Sequence, residues 1–195
     1  MHRRYRPWHY VEKVEQLIRA AGSALTLGAD VMVGFPGETD HEFQETHDFI
    51  RNLHFGYLHL FPFSPRPGTR AWNLHAESPV PSAIVNERMA SLRVLAADKT
   101  RTHRMQFIGT ELDAITLHTP AALASANRTS VLTENFLPIE LTASLSANQL
   151  IRVRIMAIAA DNTLLASPAL ASTSPADSQF IPLPIPEQSV LETTF

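Results

Sequence analysis

The chain has 195 residues, 45% of them hydrophobic and 18% charged, with a net charge of −3 and no cysteine. Its length suits one large domain or two small ones, and the near-balanced charge gives no global argument for nucleic acid or membrane binding. Without cysteine, its own side chains cannot supply disulfides, thiolate nucleophiles, Cys-ligated zinc or iron–sulfur ligands.

The opening MHRRYRPWHY has no apolar signal core, and no run approaches ~18 apolar residues, so the expectation is a cytoplasmic protein with no membrane partner. Val11–Ala21 places Val11, Val14, Leu17 and Ile18 at helical spacing, with Gly22 as the stop. Ala24–Gly34 (ALTLGADVMVG) is almost wholly apolar, as in a strand covered on both faces. Thr39 and Glu42 form a capping box opening a helix that carries Phe43, Phe49, Ile50 and Leu53. Tyr57–Phe63 is the next strand, and SPRPGT follows as a loop carrying Arg66 and Arg70. A long helix from an N-cap at Ser82 to Phe107 completes a helix–strand alternation that predicts a parallel sheet. Two strands alone cannot bury both sheet faces, so residues 1–108 read as part of a larger α/β domain.

Beyond Gly109 there is no glycine, and short β-like runs take over: 112–117, 130–133, 139–141 and 151–159, with 164–166 as a fifth. IRVRIMAIA alternates, setting Arg152 and Arg154 on one face and Ile151, Val153 and Ile155 on the other. Such strands predict a small antiparallel β-barrel over 109–170. Residues 171–195, rich in Ser, Thr and Pro, read as an extended or disordered tail.

Two turns point to chemistry. VGFPGET (Val33–Thr39) and HLFPFSPRPGT (His59–Thr69) both lie at the C-terminal ends of predicted strands, where ligands sit in α/β sheets. Gly34 and Gly37 allow close backbone approach, and the guanidinium forks of Arg66 and Arg70 suit a phosphate or a carboxylate. Gly-Pro turns of this kind also occur for purely structural reasons.

Taken in order, MHRRY (Met1–Tyr5), GADVMVGFPGETDHEF, YLHLFPFSPRPGT and the VP…ER pattern at Val80–Arg88 resemble the radical S-adenosylmethionine tRNA methylthiotransferases. They look most like the branch acting on N6-threonylcarbamoyladenosine at position 37. The resemblance implies the C-terminal part of a radical S-adenosylmethionine (β/α) barrel followed by a TRAM/OB-like barrel, and a chain that begins in mid-barrel. It implies that Val33, Gly34, Phe61 and Phe63 contact S-adenosylmethionine, with Arg3 facing the same pocket. VLTENFLPI (Val131–Ile139) and IRVRIMAIAADNTLLA (Ile151–Ala166) resemble strands of the TRAM module, although that module normally has turn glycines and a basic surface.

The expected partner is the anticodon stem-loop of tRNA, not DNA, with Arg66 and Arg70 at the catalytic mouth. Arg101, Arg104, Arg152 and Arg154 would provide phosphate contacts, which give affinity rather than sequence choice. The family's [4Fe–4S] clusters require cysteines that this chain lacks. No catalytic or metal-binding residue is therefore expected, and the chain alone is expected to be inactive. A non-catalytic RNA-binding remnant is the alternative.

Overall fold

The computed structural model describes residues 6–22 and 25–169. Arg3, the start of the Ala24–Gly34 run and the 171–195 tail lie outside the described residues.

Helix α1 (Pro7–Ala21) starts four residues earlier than its apolar spacing indicated, because Pro7 is pre-set for the first helical turn. It stops at Gly22, whose φ of 74° lies in the left-handed region. Strand β1 (Gly28–Val33) leads through the VGFPGET turn into α2 (Asp40–Asn52). The predicted capping box is present: the Thr39 hydroxyl accepts the Glu42 N–H at 3.2 Å, and the Glu42 carboxylate accepts the Thr39 N–H at 2.9 Å. The Thr39 N–H, together with the Thr39 hydroxyl donating to the same carboxylate at 2.8 Å, favours its ionised form and holds its pKa below the ordinary value.

Strand β2 (Tyr57–Pro62) then pairs in parallel with β1, from Gly28↔Tyr57 to Val33↔Pro62. Next comes a helix that the sequence reading missed, α3 (Arg70–Glu77), N-capped by the Thr69 side chain. Arg70 is therefore the first residue of a helix and not part of the loop. The long helix α4 (Ser82–Met105) takes Pro81, not Ser82, as its N-cap and ends just before the predicted Phe107.

Val31 and Val33 on β1 join Val14 of α1, Ile50 of α2 and Met89 and Leu92 of α4 in one core. Leu58 and Leu60 of β2 pack against it. The alternate residues, Asp30, Met32, His59 and Phe61, register against one another on the opposite face (Asp30↔His59, Met32↔Phe61). One face of this sheet is thus covered by helices, while Tyr57 and His59 on the other are exposed.

The second half is a closed barrel in the order β3-β4-β5-β7-β6. Its strands are β3 (Glu111–Thr116), β4 (Thr129–Thr133), β5 (Pro138–Leu141), β6 (Leu150–Ile158) and β7 (Leu164–Pro168). A short helix α5 (Ala121–Ser125), absent from the sequence reading, bridges β3 and β4. Four of the five pairings are antiparallel and β5–β7 is parallel, which closes the barrel in OB-like order.

The alternation read in IRVRI holds: Val153 and Ile155 are fully buried, while Arg152 and Arg154 are exposed. The barrel turns manage without glycine because Asn127, Asn148 and Asn162 adopt φ values of 56°, 64° and 68°. Asparagine tolerates this left-handed conformation better than other non-glycine residues do. Buried threonine hydroxyls secure the chain ends around them. Thr116 donates to the Ser146 carbonyl and Thr129 to the Ala143 carbonyl, each at 2.7 Å.

The two halves share α4. Arg104 donates to the Asn162 carbonyl at 2.6 Å and Arg101 to Asn162 Oδ1 at 3.2 Å. Thr26 Oγ1 donates to the Asn135 carbonyl at 3.2 Å. Among the described residues, no helix is long and apolar enough to cross a membrane.

Candidate functional site

The end of β2 and the start of α3 enclose a cavity of about 580 Å3, lined by Met32, Phe35, Phe61, Phe63, Leu74 and Ala71 and edged by Ser64, Arg66, Thr69 and Arg70. Its walls follow from local chemistry. β2 delivers Phe61 on the uncovered sheet face, and the Phe63 N–H donates to the Val33 carbonyl at 2.7 Å, continuing the β1–β2 ladder by one step. Phe35 in the first turn meets Phe63 edge-on, with ring centroids 5.4 Å apart. The second turn bends at Gly68, whose φ is 79°, and the Thr69 hydroxyl caps α3, bringing Ala71 and Leu74 over the opening. Met32, Phe35 and Phe61 also border an adjoining hollow that reaches Asp30 and Glu38.

Among the described residues, no acidic side chain lines this cavity. Arg66 and Arg70 form no salt bridge among the described residues, whereas most of the other arginines do. Three aromatic rings and two guanidiniums without counter-charges suit a flat, apolar heterocycle attached to an anionic group.

Four of the residues predicted from sequence, Phe61, Phe63, Arg66 and Arg70, therefore meet at one cavity. Others do not. The Val33 side chain is 1% exposed and packs in the helix-covered core, so it cannot touch a ligand on the open face. The β1 alternation is the reason: Met32, not Val33, faces the cavity. Gly34 lines no part of it, and its N–H already donates to the Glu38 carboxylate at 2.9 Å.

Arg101 and Arg104 do not form an open basic track. Both are engaged with the β6–β7 turn at Asn162, and burial lowers the pKa of Arg104, opposed by nearby Asp161. Arg152 lies 3.3 Å from Glu111 and 3.2 Å from Asp113, and Arg154 lies 3.9 Å from Glu111. These barrel arginines balance acids on the neighbouring strand β3.

The residue most clearly missed is Arg88, visible in the sequence only as the last letter of the VP…ER pattern. Its side chain is 6% exposed and binds Glu38 and Asp40 at 2.7 Å each. The opposed effects on its pKa are burial, which lowers it, and the bonds to Asp40 and Glu38, which raise it; the net shift is upward. Phe35 and Met32 were also missed as lining residues. The period-two alternation from Val31 and Val33 carried the signal for Met32.

Among the described residues, no group of three His, Cys, Asp or Glu side chains could hold a metal ion.

No family model matches the chain. Curated proteins do. The chain is 37% identical over 133 residues to a threonylcarbamoyladenosine tRNA methylthiotransferase of Treponema pallidum, covering 66% of this chain and 26% of that protein. It is 35% identical over 130 residues to the Aquifex aeolicus protein of the same name, covering 67% and 29%. A tRNA-2-methylthio-N(6)-dimethylallyladenosine synthase of Cereibacter sphaeroides is 37% identical over 116 residues, covering 59% and 26%. The chain thus spans less than a third of the length of the curated relatives it matches.

Proposed function

We propose that this chain, which is homologous to part of the tRNA methylthiotransferases, supplies the cavity where such an enzyme holds the adenosine of S-adenosylmethionine beside the tRNA base to be modified. The observation that carries this reading is the meeting of Phe61, Phe63, Arg66 and Arg70 around one cavity that no acidic side chain lines among the described residues. Its volume falls in the range of small-molecule sites, about 300–1,000 Å3. The rings of Phe61, Phe63 and Phe35 offer flat apolar surfaces for a purine, and Arg66 and Arg70 offer forked donors to a carboxylate or phosphate.

Bound there, S-adenosylmethionine supplies the methyl of the new methylthio group. The residues of this chain bind and orient: the rings fix the plane of the base, α3 narrows the opening, and the arginines face the anionic group of the tRNA nucleoside. The iron–sulfur clusters implied by the resemblance do not fit the donor set of this chain, which has no thiolate. Cluster chemistry, and with it the transfer itself, lies beyond these residues alone.

For the substrate we propose C2 of N6-threonylcarbamoyladenosine at position 37 in the anticodon loop. Two of the relatives carry threonylcarbamoyladenosine in their names, and the carboxylate of that base matches the two guanidiniums at the cavity edge.

Calorimetric titration of the chain with S-adenosylmethionine tests the cavity. Phe63→Ala should weaken binding by about tenfold, the loss of one stacked ring. An unchanged affinity in a folded Phe63→Ala protein would place the cofactor elsewhere.

A further inference from the structure

The VGFPGET turn is held from behind by a side chain that never reaches the cavity. Arg88, on α4, donates through Nη1 to the Glu38 carboxylate at 2.7 Å and to the Glu38 carbonyl at 3.2 Å, and through Nη2 to Asp40 at 2.7 Å. Its guanidinium also lies 5.3 Å from the centre of the Phe43 ring. The Glu38 oxygen bound by Arg88 is the one that accepts the Gly34 N–H at 2.9 Å. One helical turn before Arg88, Val85 presses on Gly34 so closely that a Cβ there would lie 2.6 Å from Val85 Cγ2. Gly34 has a φ of 78°, and the residue after it, Phe35, is the ring that walls the cavity against Phe63.

We infer that Arg88 is a positioning residue for this cavity: by orienting Glu38 it fixes the backbone at Gly34, and with it the Phe35 ring. The inference rests on the ligand cavity proposed above. Stability alone is a poor reason for such a pair, because desolvating two charges costs much of what their attraction returns, and apolar residues of similar size often do as well. An apolar pair could not supply the carboxylate that takes the Gly34 N–H and sets the direction in which the chain leaves β1. Nor could lysine replace the fork, since a compact ammonium lacks the two separate nitrogens that reach Glu38 and Asp40.

The test compares the full chain with its Arg88→Lys, Glu38→Gln and Asp40→Asn variants, reading S-adenosylmethionine affinity, melting temperature and amide hydrogen exchange at Gly34 and Phe35. Arg88→Lys and Glu38→Gln should each weaken binding by about tenfold and speed exchange at Gly34 by a similar factor, the effect expected of losing one charge-assisted hydrogen bond. Asp40→Asn removes a partner of the same guanidinium that does not touch Gly34, so affinity and Gly34 exchange should stay near the wild-type values even if melting shifts. A folded Arg88→Lys protein with unchanged Gly34 exchange and unchanged affinity would overturn the role. Equal losses of affinity in all three variants, tracking melting temperature, would reduce Arg88 to a structural ion pair and overturn it too. If the wild type does not bind S-adenosylmethionine, the cavity reading fails separately. Gly34 exchange then decides alone whether Arg88 controls the turn: faster exchange supports that control, and unchanged exchange overturns it.

Discussion

In the barrel every strand has two hydrogen-bonded neighbours, whereas β1 and β2 have only each other among the described residues. The barrel packs its core against itself: Leu141, Val153, Ile155, Leu164 and Ala166 are all fully buried, while Phe136, Leu150 and Met156 stay exposed outside it. Its exposed Arg152 and Arg154 are balanced by Glu111 and Asp113, and its half-buried Arg128 by Glu140. The α/β half covers one sheet face with helices and leaves the other open, with Tyr57 54% exposed and Arg66 and Arg70 at a cavity edge that carries no acid among the described residues. The contrast separates what is saturated from what is not. A surface whose charges are already paired internally has less to offer an anion, and at the cavity edge Arg66 and Arg70 have no acidic partner among the described residues.

The largest expected effect comes from truncating one side chain in each region. Leu141→Ala opens a cavity in a closed core and should destabilise the chain by about 2–5 kcal/mol. Tyr57→Ala removes a half-exposed ring that packs over Gly28 and should cost less, about 1–2 kcal/mol, because only part of the ring's surface is withdrawn from water. Urea unfolding measures both. If Tyr57→Ala cost as much as Leu141→Ala, the open face would be covered in solution and the comparison would break.

A smaller effect should appear where the halves meet. His103 lies between Thr26 Oγ1 at 3.0 Å and the Gln106 amide at 2.6 Å, and Thr26 gives its own proton to the Asn135 carbonyl. These roles fit a neutral ring with its proton on Nε2 and its Nδ1 accepting from Gln106. Burial, helped by the neighbouring Arg104 charge, lowers the His103 pKa below its ordinary value. The unfolded chain therefore binds the proton first. The stability contributed by the neutral ring is fully present above about pH 6.5 and is lost as pH falls toward the lowered folded pKa. Melting temperature should fall as pH drops below about 6.5, and His103→Gln should flatten that fall. An unaltered slope in the variant would remove His103 from the junction.

What could be read from the sequence was what local chemistry decides. The Thr39–Glu42 capping box, the stop at Gly22 and the alternation through Ile151–Ile155 each depend on residues within a few positions of one another, and each appears in the structure. Helix α3 was missed because its eight residues sit between GT and SP, which read as loop, and the Thr69 cap was hidden inside the SPRPGT pattern. The parallel β5–β7 pairing joins segments about 25 residues apart, and no turn signal announces it. For the site, Arg66 and Arg70 carried their own signal as arginines flanking a Gly-Pro turn, whereas Phe61 and Phe63 were named only through the family resemblance; all four line the cavity. Arg88 was not legible, since its partners Glu38 and Asp40 lie 50 and 48 residues away. Arg101 and Arg104 looked free for the same reason: Asn162, which accepts from both, is 61 and 58 residues distant.

The smallest effects fall on the surface arginines, and they sharpen the comparison most. Arg152 bridges Glu111 and Asp113 on an exposed strand, with its side chain 57% exposed. Exposed pairs of this kind contribute about 0–1 kcal/mol, so Arg152→Ala should barely move the unfolding midpoint. Its positive charge is already matched by two carboxylates, and a phosphate approaching it would also meet those acids. Arg66 and Arg70 have no such competitors among the described residues, so a phosphate or carboxylate would gain the whole attraction. In titrations of an anticodon stem-loop RNA against the chain at two salt concentrations, removing a single arginine–phosphate pair should reduce the log–log salt slope by about 0.7–0.9. Arg66→Ala and Arg70→Ala should show that reduction, while Arg152→Ala and Arg154→Ala should leave the slope as in the wild type. The reverse pattern would mean that the barrel strand releases its internal acids to meet RNA, and that internal charge pairing does not mark a surface as unused.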